Sequence, residues 1–323
     1  MQVMNFGILG ASDFARRRMG PAIHAARGAR LVALATSSPE KAKGFQAFAP
    51  DLRLHESYEA LLADPEIEAV YIPLPNTLHV EWSLKALAAG KHVLCEKPLA
   101  LRAEEIDPLI AARDASGRFC TEAYMIVHHP QWQLVRDWLA EGRIGTLCHA
   151  DAAFSFFNDD ATNIRNRPEM GGGSLPDIGV YAYSSVRFAT GAEPVWMKSV
   201  MARANGVETR TQVIGEMAGP LGRFSFGAMT STRLFPRQEV TFQGTEGRIT
   251  LTAPFNAGIF AEAQVTLHRE NASETRRFPD INQYVVQVEA FIAHIREGAP
   301  YPWHLEDARA GQAMIDMVRA GEI

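Results

Sequence analysis

The chain has 323 residues, 47% of them hydrophobic and 21% charged, and a formal net charge of −5 at pH 7. This is ordinary globular composition, at a length that suits two domains better than one core. The mild acidity and the lack of a long basic block exclude a typical nucleic-acid binder, and no apolar run approaches the ~20 residues that span a bilayer.

The N-terminal stretch "MQVMNFGILGAS" reads as a strand entering a glycine turn, without the basic and apolar regions of an export signal. Arg16, Arg17 and Arg18 form the one cationic run, either a solvated helix face or an aid to anionic phosphates. Cys95, Cys120 and Cys148 lack disulfide or zinc spacing. Cys95 and Cys120 lie in apolar runs and are expected as buried free thiols in a reducing cytoplasm.

In chain order, "MNFGILG" predicts a buried strand, and residues 13–27 a helix. "ARLVALAT" is a second strand; Ser38 and Pro39 open the next helix. A short strand in "DLRLHES" and the helix "SYEALLAD" follow. "EAVYIPLP" is a strand, and "HVEWSLKALAAG" a helix stopped by Gly90. "KHVLCEKP", "RAEEIDPLIAARDASG" and "RFCTEAY" add strand, helix and strand. Apolar strands alternating with helices make a parallel sheet covered on both faces. The predicted fold class is α/β: an N-terminal doubly wound Rossmann domain over residues 1–122. After about Tyr124 the pattern changes. A helix at 130–141, a strand in "TLCHADAAFSFF", a helix at 176–190 and successive strands from Val195 to about Arg277 precede two closing helices. Residues 123–323 therefore read as an α+β domain with a mostly antiparallel open sheet, one face of which is available to a partner subunit.

"GILGASDFA" joins the first strand to the first helix. Gly10 stands at the tight-turn position of a dinucleotide fingerprint and Ala15 at the helix-packing position; Ser12 replaces the usual second glycine. The helix N-terminus there suits phosphate. The second strand ends in Thr36, Ser37 and Ser38, with Lys41 beyond, where an NAD site commonly has a carboxylate. Hydroxyls and an ammonium suit a 2′-phosphate, so NADP is favoured over NAD.

"CEKP" leaves Glu96 and Lys97 at the carboxyl end of a strand, the edge where ligands sit in open α/β sheets. In "GGGSLPDIGVYAY", Ser174 is a candidate cap, Pro176 suits the first helical turn, and Asp177 and Tyr181, four apart, share one face near the positive helix end. Gly171, Gly172 and Gly173 are expected to let the backbone pass close to a flat nicotinamide or sugar ring.

"GILGAS" with Ala15, "PLPNTLH", "CEKP" and "GGGSLPDIGVY" together resemble the Gfo/Idh/MocA family of NAD(P)-dependent oxidoreductases, over essentially the whole chain. Tyrosine at 181, where many members including inositol dehydrogenase have histidine, is similar to the branch of dimeric dihydrodiol dehydrogenase, D-xylose dehydrogenase and glucose–fructose oxidoreductase. The resemblance implies hydride transfer between nicotinamide and a hydroxyl- or carbonyl-bearing carbon of a sugar, polyol or vicinal diol. Tyr181 is then the general acid/base, Lys97 its assistant, and Asp177 an orienting group. A tyrosine pKa of about 10 falls by up to ~3 units if an ammonium ~4 Å away, at an effective dielectric of ~20, contributes about 4 kcal/mol. Gly10, Ser12, Phe14, Ala15, Thr36, Ser37, Lys41, Pro73, Asn76, His79, Glu96 and Lys97 are the cofactor-binding candidates. Lys97, Tyr124, Asn163, Arg165, Asp177 and Tyr181 are the substrate-facing ones, with His128 and His129 as further pocket or linker residues. No metal spacing occurs. The alternative is a non-catalytic cofactor-binding sensor on the same fold.

Overall fold

The computed structural model describes residues 3–323. They form two compact units, one taking in the chain up to His128 together with Asn282–Arg309, the other His129–Ile281 with Ala310–Ile323. The expected division at 122/123 thus moves to His128/His129, and residues 282–309 return to the first unit. Aromatic packing explains the return: Phe291 lies 5.9 Å from Phe6 and 5.3 Å from Phe119, ring to ring.

In the first unit, β1 (Met4–Leu9), β2 (Ala29–Ala35), β3 (Arg53–His55), β4 (Ala69–Ile72), β5 (His92–Cys95) and β6 (Cys120–Glu122) form a parallel sheet in the order β3-β2-β1-β4-β5-β6. The chain turns to opposite sides of β1, which puts the switch point at the carboxyl end of β1, beside Gly10. β4 is buried at every position, as a strand covered on both faces must be. Helices α1 (Gly20–Ala25), α2 (Pro39–Gln46), α3 (Tyr58–Ala63), α4 (His79–Ala88) and α5 (Asp107–Ser116) connect the strands. The single helix expected over 13–27 is instead a π-turn, Ala15–Met19, running into α1. Pro21 accounts for the change, because it has no N–H for an i→i−4 bond.

In the second unit, α6 (Pro130–Ala140) leads into β7 (Leu147–Phe157), and α7 (Val180–Thr190) into seven further strands. These are β8 (Glu193–Ala204), β9 (Val207–Gly219), β10 (Gly222–Ser231), β11 (Arg233–Gly244), β12 (Arg248–Leu251), β13 (Ala263–Arg269) and β14 (Ala272–Phe278). The sheet order is β14-β13-β12-β11-β7-β10-β9-β8; β7 and β10 are parallel, and every other pair is antiparallel. Helix α7 packs on β7 and β10. Trp196, Val200 and Ile214 stay 45%, 51% and 63% exposed. The closing helices are α8 (Gln283–Glu297), in the first unit, and α9 (Leu305–Ala320). Among the described residues no helix is long and apolar enough to cross a membrane. All three cysteines are free; Cys95 and Cys120 are buried and Cys148 is exposed.

Candidate functional site

Gly10 follows β1 with φ +98°, a region L side chains rarely adopt. An added Cβ would stand 2.8 Å from Leu74 Cδ2 and 3.3 Å from the Tyr58 hydroxyl. The turn is therefore built to keep its backbone bare, the cradle a dinucleotide fingerprint requires. The Ser12 hydroxyl accepts the Ala15 N–H at 3.1 Å, so serine here caps the helical turn that glycine would leave open. Ala15 is wholly buried, and Phe14 is 39% exposed with its ring edge-on to Tyr284. Arg16 and Arg17 both pair with Asp13, at 2.6 and 2.9 Å.

At the end of β2, Thr36 Oγ1 accepts the Ser38 N–H at 3.1 Å, and Ser38 Oγ caps α2 through the Lys41 N–H at 3.4 Å. Ser37 and Lys41 are exposed. No carboxylate stands among residues 36–38, so this strand end presents hydroxyls.

The turn after β5 is braced from several sides. Glu96 Oε1 accepts the Tyr71 hydroxyl at 2.7 Å, and Oε2 accepts the Lys97 N–H at 3.3 Å. His79, 1% exposed, sets Nδ1 2.7 Å from the Pro98 carbonyl and Nε2 2.8 Å from that of Leu74. Burial lowers its pKa, against the two carbonyls, which favour the protonated ring. Pro73 is buried, and Asn76 begins a short 3-10 turn ahead of α4. Glu122, at the end of β6, lies under the same turn: it accepts the Leu99 N–H at 2.9 Å and the Trp303 indole N–H at 3.0 Å.

In the second unit Asp177 and Tyr181 are 8% and 6% exposed. Arg165 Nε donates to Asp177 Oδ2 at 2.6 Å, and Asn163 caps the short turn that carries Arg165. The Tyr181 ring lies 5.7 Å from both Phe154 and Phe255, themselves stacked at 5.1 Å.

Three sequence readings change here. The triple glycine accommodates the chain itself: a Cβ on Gly172 would meet the Arg165 and Ile164 carbonyls at 2.6 and 2.7 Å. Gly173, at φ +125°, faces the Glu208 carboxylate, where an added Cβ would stand 3.0 Å from Oε2. Ser174 does not cap the helix. Glu208 on β9 does, accepting the Leu175 N–H at 2.8 Å and the hydroxyls of Ser174 and Thr211. Tyr124 is wholly buried with its ring 4.5 Å from that of Trp303, which gives it a packing role. His129 caps α6 through the Gln131 N–H, and His128 packs on Tyr301. Among the described residues no group of His, Cys, Asp or Glu is arranged to hold a metal.

Sequence reasoning missed Glu122, Glu208 and Trp303. An acid closing the apolar run "RFCTEAY" is the one signal that pointed to Glu122.

A bare turn at the switch point of a parallel sheet defines a dinucleotide-binding protein. Comparison with known proteins agrees. Residues 4–124 match the model of the oxidoreductase family with an NAD-binding Rossmann fold, and residues 132–250 that of the GFO/IDH/MocA C-terminal domain. An oxidoreductase of Rhizobium meliloti is 40% identical over 95% of this chain and 93% of its own length. D-xylose 1-dehydrogenase (NADP(+)) 2 of Haloferax volcanii is 34% identical over 91% of this chain and 90% of its own. The crystal structure of a 3-ketoreductase from Actinomadura kijaniata, in complex with NADP and TDP-benzene, superposes with a TM-score of 0.88 at 29% identity, covering 99% of this chain and 98% of that one. The chain belongs to the Gfo/Idh/MocA family of NAD(P)-dependent oxidoreductases.

Proposed function

We propose that this chain exchanges hydride between NADP(H) and the carbon of a hydroxyl or carbonyl group on a sugar, polyol or related vicinal diol. The carrying observation is the presence, on a family fold, of Lys97 at the carboxyl end of β5 together with Tyr181 in the first turn of α7. A cofactor-binding sensor would have no use for that pair. The bare Gly10 turn fits a pyrophosphate, and the hydroxyls ending β2 fit a 2′-phosphate better than a free ribose diol. The xylose dehydrogenase and ketoreductase relatives, named for or solved with NADP, support the same preference. Gly10, Ser12, Phe14, Ala15, Thr36, Ser37, Lys41, Pro73, Asn76, His79 and Glu96 would line or brace the cofactor groove.

The nicotinamide, when bound, supplies or accepts the hydride. Tyr181 moves the proton: its hydroxyl donates to the carbonyl oxygen in reduction and accepts from the alcohol in oxidation. Lys97 hydrogen-bonds the same oxygen and favours the phenolate through its charge. Asp177 orients substrate hydroxyls, and Arg165, already paired with it, fixes its direction. Aldose oxidation at C1, keto-sugar reduction and trans-dihydrodiol oxidation all use this chemistry.

The domains divide the labour, with the first unit binding the dinucleotide and the second the substrate. Trp196, Val200 and Ile214 form an exposed apolar strip suited to a second copy, so a homodimer or homotetramer is the proposed assembly; a monomer by light scattering would remove it. Free cysteines accord with a cytoplasmic setting.

The test is Tyr181→Phe on a panel of sugars, polyols and diols with NADP and NAD. Turnover is expected to fall by roughly 10²–10⁴-fold, with the NADPH dissociation constant within twofold of the parent's. Near-normal turnover would overturn the reading.

A further inference from the structure

We infer that Arg16 is a specificity arm of the cofactor site: it crosses from the glycine turn to α2 and there, with Lys41, grips the 2′-phosphate that distinguishes NADPH from NADH. The inference rests on the reading above, in which the hydroxyls ending β2 face that phosphate.

Arg16 lies in the π-turn Ala15–Met19, just after the bare turn at Gly10. Its stem runs across α2 at Gly44. A Cβ added to Gly44 would collide with Arg16 Cδ and stand 3.3 Å from Cγ and 3.5 Å from Nε. Gly44 is inside α2, where alanine is the better helix former. Its φ is not positive, so no turn calls for glycine here; the missing Cβ makes room for the arginine stem. Lys41 stands three residues earlier on α2, and residues so spaced are neighbours on one helix face. The arginine therefore meets α2 beside Lys41, one turn beyond the Ser38 cap that ends the β2 loop.

The heads of these side chains are open to a ligand. Among the described residues Arg16 makes one polar contact, from Nη2 to Asp13 Oδ1 at 2.6 Å, which leaves Nε and Nη1 as donors. Lys41 and Ser37 are exposed, and neither side chain has a partner among the described residues. Lys43, by contrast, is engaged by Glu40 at 2.6 Å. Arg16, Arg17 and Lys41 set three positive charges against the one carboxylate of Asp13, which both arginines share. The excess suits a phosphate monoester, which carries about −1.5 to −2 near pH 7; a ribose diol has no charge to answer it. Surface pairing does not explain the arrangement. An exposed contact between residues three apart contributes little, and it needs no glycine on the next helix.

The experiment titrates the full chain with NADPH and with NADH by fluorescence, without substrate, in the parent, Arg16→Met, Gly44→Ala and Arg17→Met. Arg16→Met is expected to raise the NADPH dissociation constant at least tenfold and to leave that of NADH within twofold. Gly44→Ala removes no charge and adds a better helix former, so its melting temperature should not fall. Its Cβ displaces the arginine stem, so NADPH should weaken at least threefold while NADH is unchanged. Arg17→Met should keep both constants within twofold. Equal weakening of both cofactors in Arg16→Met would assign the arginine to the pyrophosphate or to the fold, and parental NADPH affinity would make it a solvated side chain; either overturns the inference. Parental NADPH affinity in Gly44→Ala would detach the arm from α2, and a loss in Arg17→Met equal to that in Arg16→Met would reduce the effect to net charge; each overturns it too. A parent that binds NADH as tightly as NADPH would instead sink the NADP preference itself, and the inference with it.

Discussion

Glu208→Ala removes the support of the helix that carries Asp177 and Tyr181. In the parent chain one Glu208 oxygen takes the Leu175 N–H at 2.8 Å, and the other takes Thr211 Oγ1 at 2.9 Å together with Ser174 Oγ. Ser174 and Leu175 are 0% and 2% exposed in the parent chain. Leaving the Leu175 N–H unsatisfied costs about 1–3 kcal/mol, and losing a negative charge at a helix start about 0.3–1 kcal/mol more. Ser174 keeps Thr230 as a partner at 3.0 Å and adds little. For a unit of this size each kcal/mol moves the midpoint by roughly 2–4 °C, so the second unit's transition should fall by roughly 3–16 °C. Glu208→Gln is the control. Its amide oxygen can take the Leu175 N–H, and its NH₂ can face hydroxyls that rotate to accept, so the loss should stay under about 1 kcal/mol. Calorimetry of the full chain resolves the two variants, and turnover at 25 °C should fall with the alanine only. A midpoint within ~1 °C of the parent for Glu208→Ala would refute hydrogen-bonded support from β9. Equal losses in both variants would assign the effect to charge rather than to the acceptor.

Gly10→Ala should weaken NADPH binding at least tenfold by fluorescence titration and cost about 1–3 kcal/mol of stability, because φ is +98° and the new Cβ meets Leu74 at 2.8 Å; an unchanged dissociation constant would place the dinucleotide elsewhere. His129 provides a pH test. Burial lowers its pKa to about 4, and its Nδ1 must stay unprotonated to accept the Gln131 N–H at 3.2 Å. As pH falls, the unfolded chain takes up this proton near 6.5, before the folded one does. The histidine's contribution is therefore complete above about 6.5 and lost as pH falls toward 4, an effect of about 3 kcal/mol. His129→Asn keeps a capping acceptor without the titration, so its midpoint should fall less steeply over that range; parallel curves would exclude the residue as a source of acid sensitivity.

The positions proposed to react were picked out in the sequence because they sit where local rules apply, and their roles came from the family resemblance. Gly10 and Lys97 follow apolar strands, Asp177 and Tyr181 open a helix, and each position could be placed from a dozen neighbouring residues. The alternation of strands and helices in the first unit was legible for the same reason. What holds the reacting groups was not, because supports are long-range. Glu122 finds its donors 23 and 181 residues away, and Glu208 finds its helix 33 residues away. The return of 282–309 to the first unit rests likewise on rings brought together by folding, which the period of a helix does not encode. The glycines of 171–173 show the limit most directly. Composition says that something comes close to a backbone without Cβ atoms, and a ligand ring is one such body. The carbonyls of Ile164 and Arg165 and the carboxylate of Glu208 are others, and they are the ones found. Those glycines therefore seat the loop bearing Arg165 against the start of the helix. That seating sets the 2.6 Å contact between Arg165 and Asp177, so a glycine substitution there should disturb the site through Asp177 rather than by blocking a ligand.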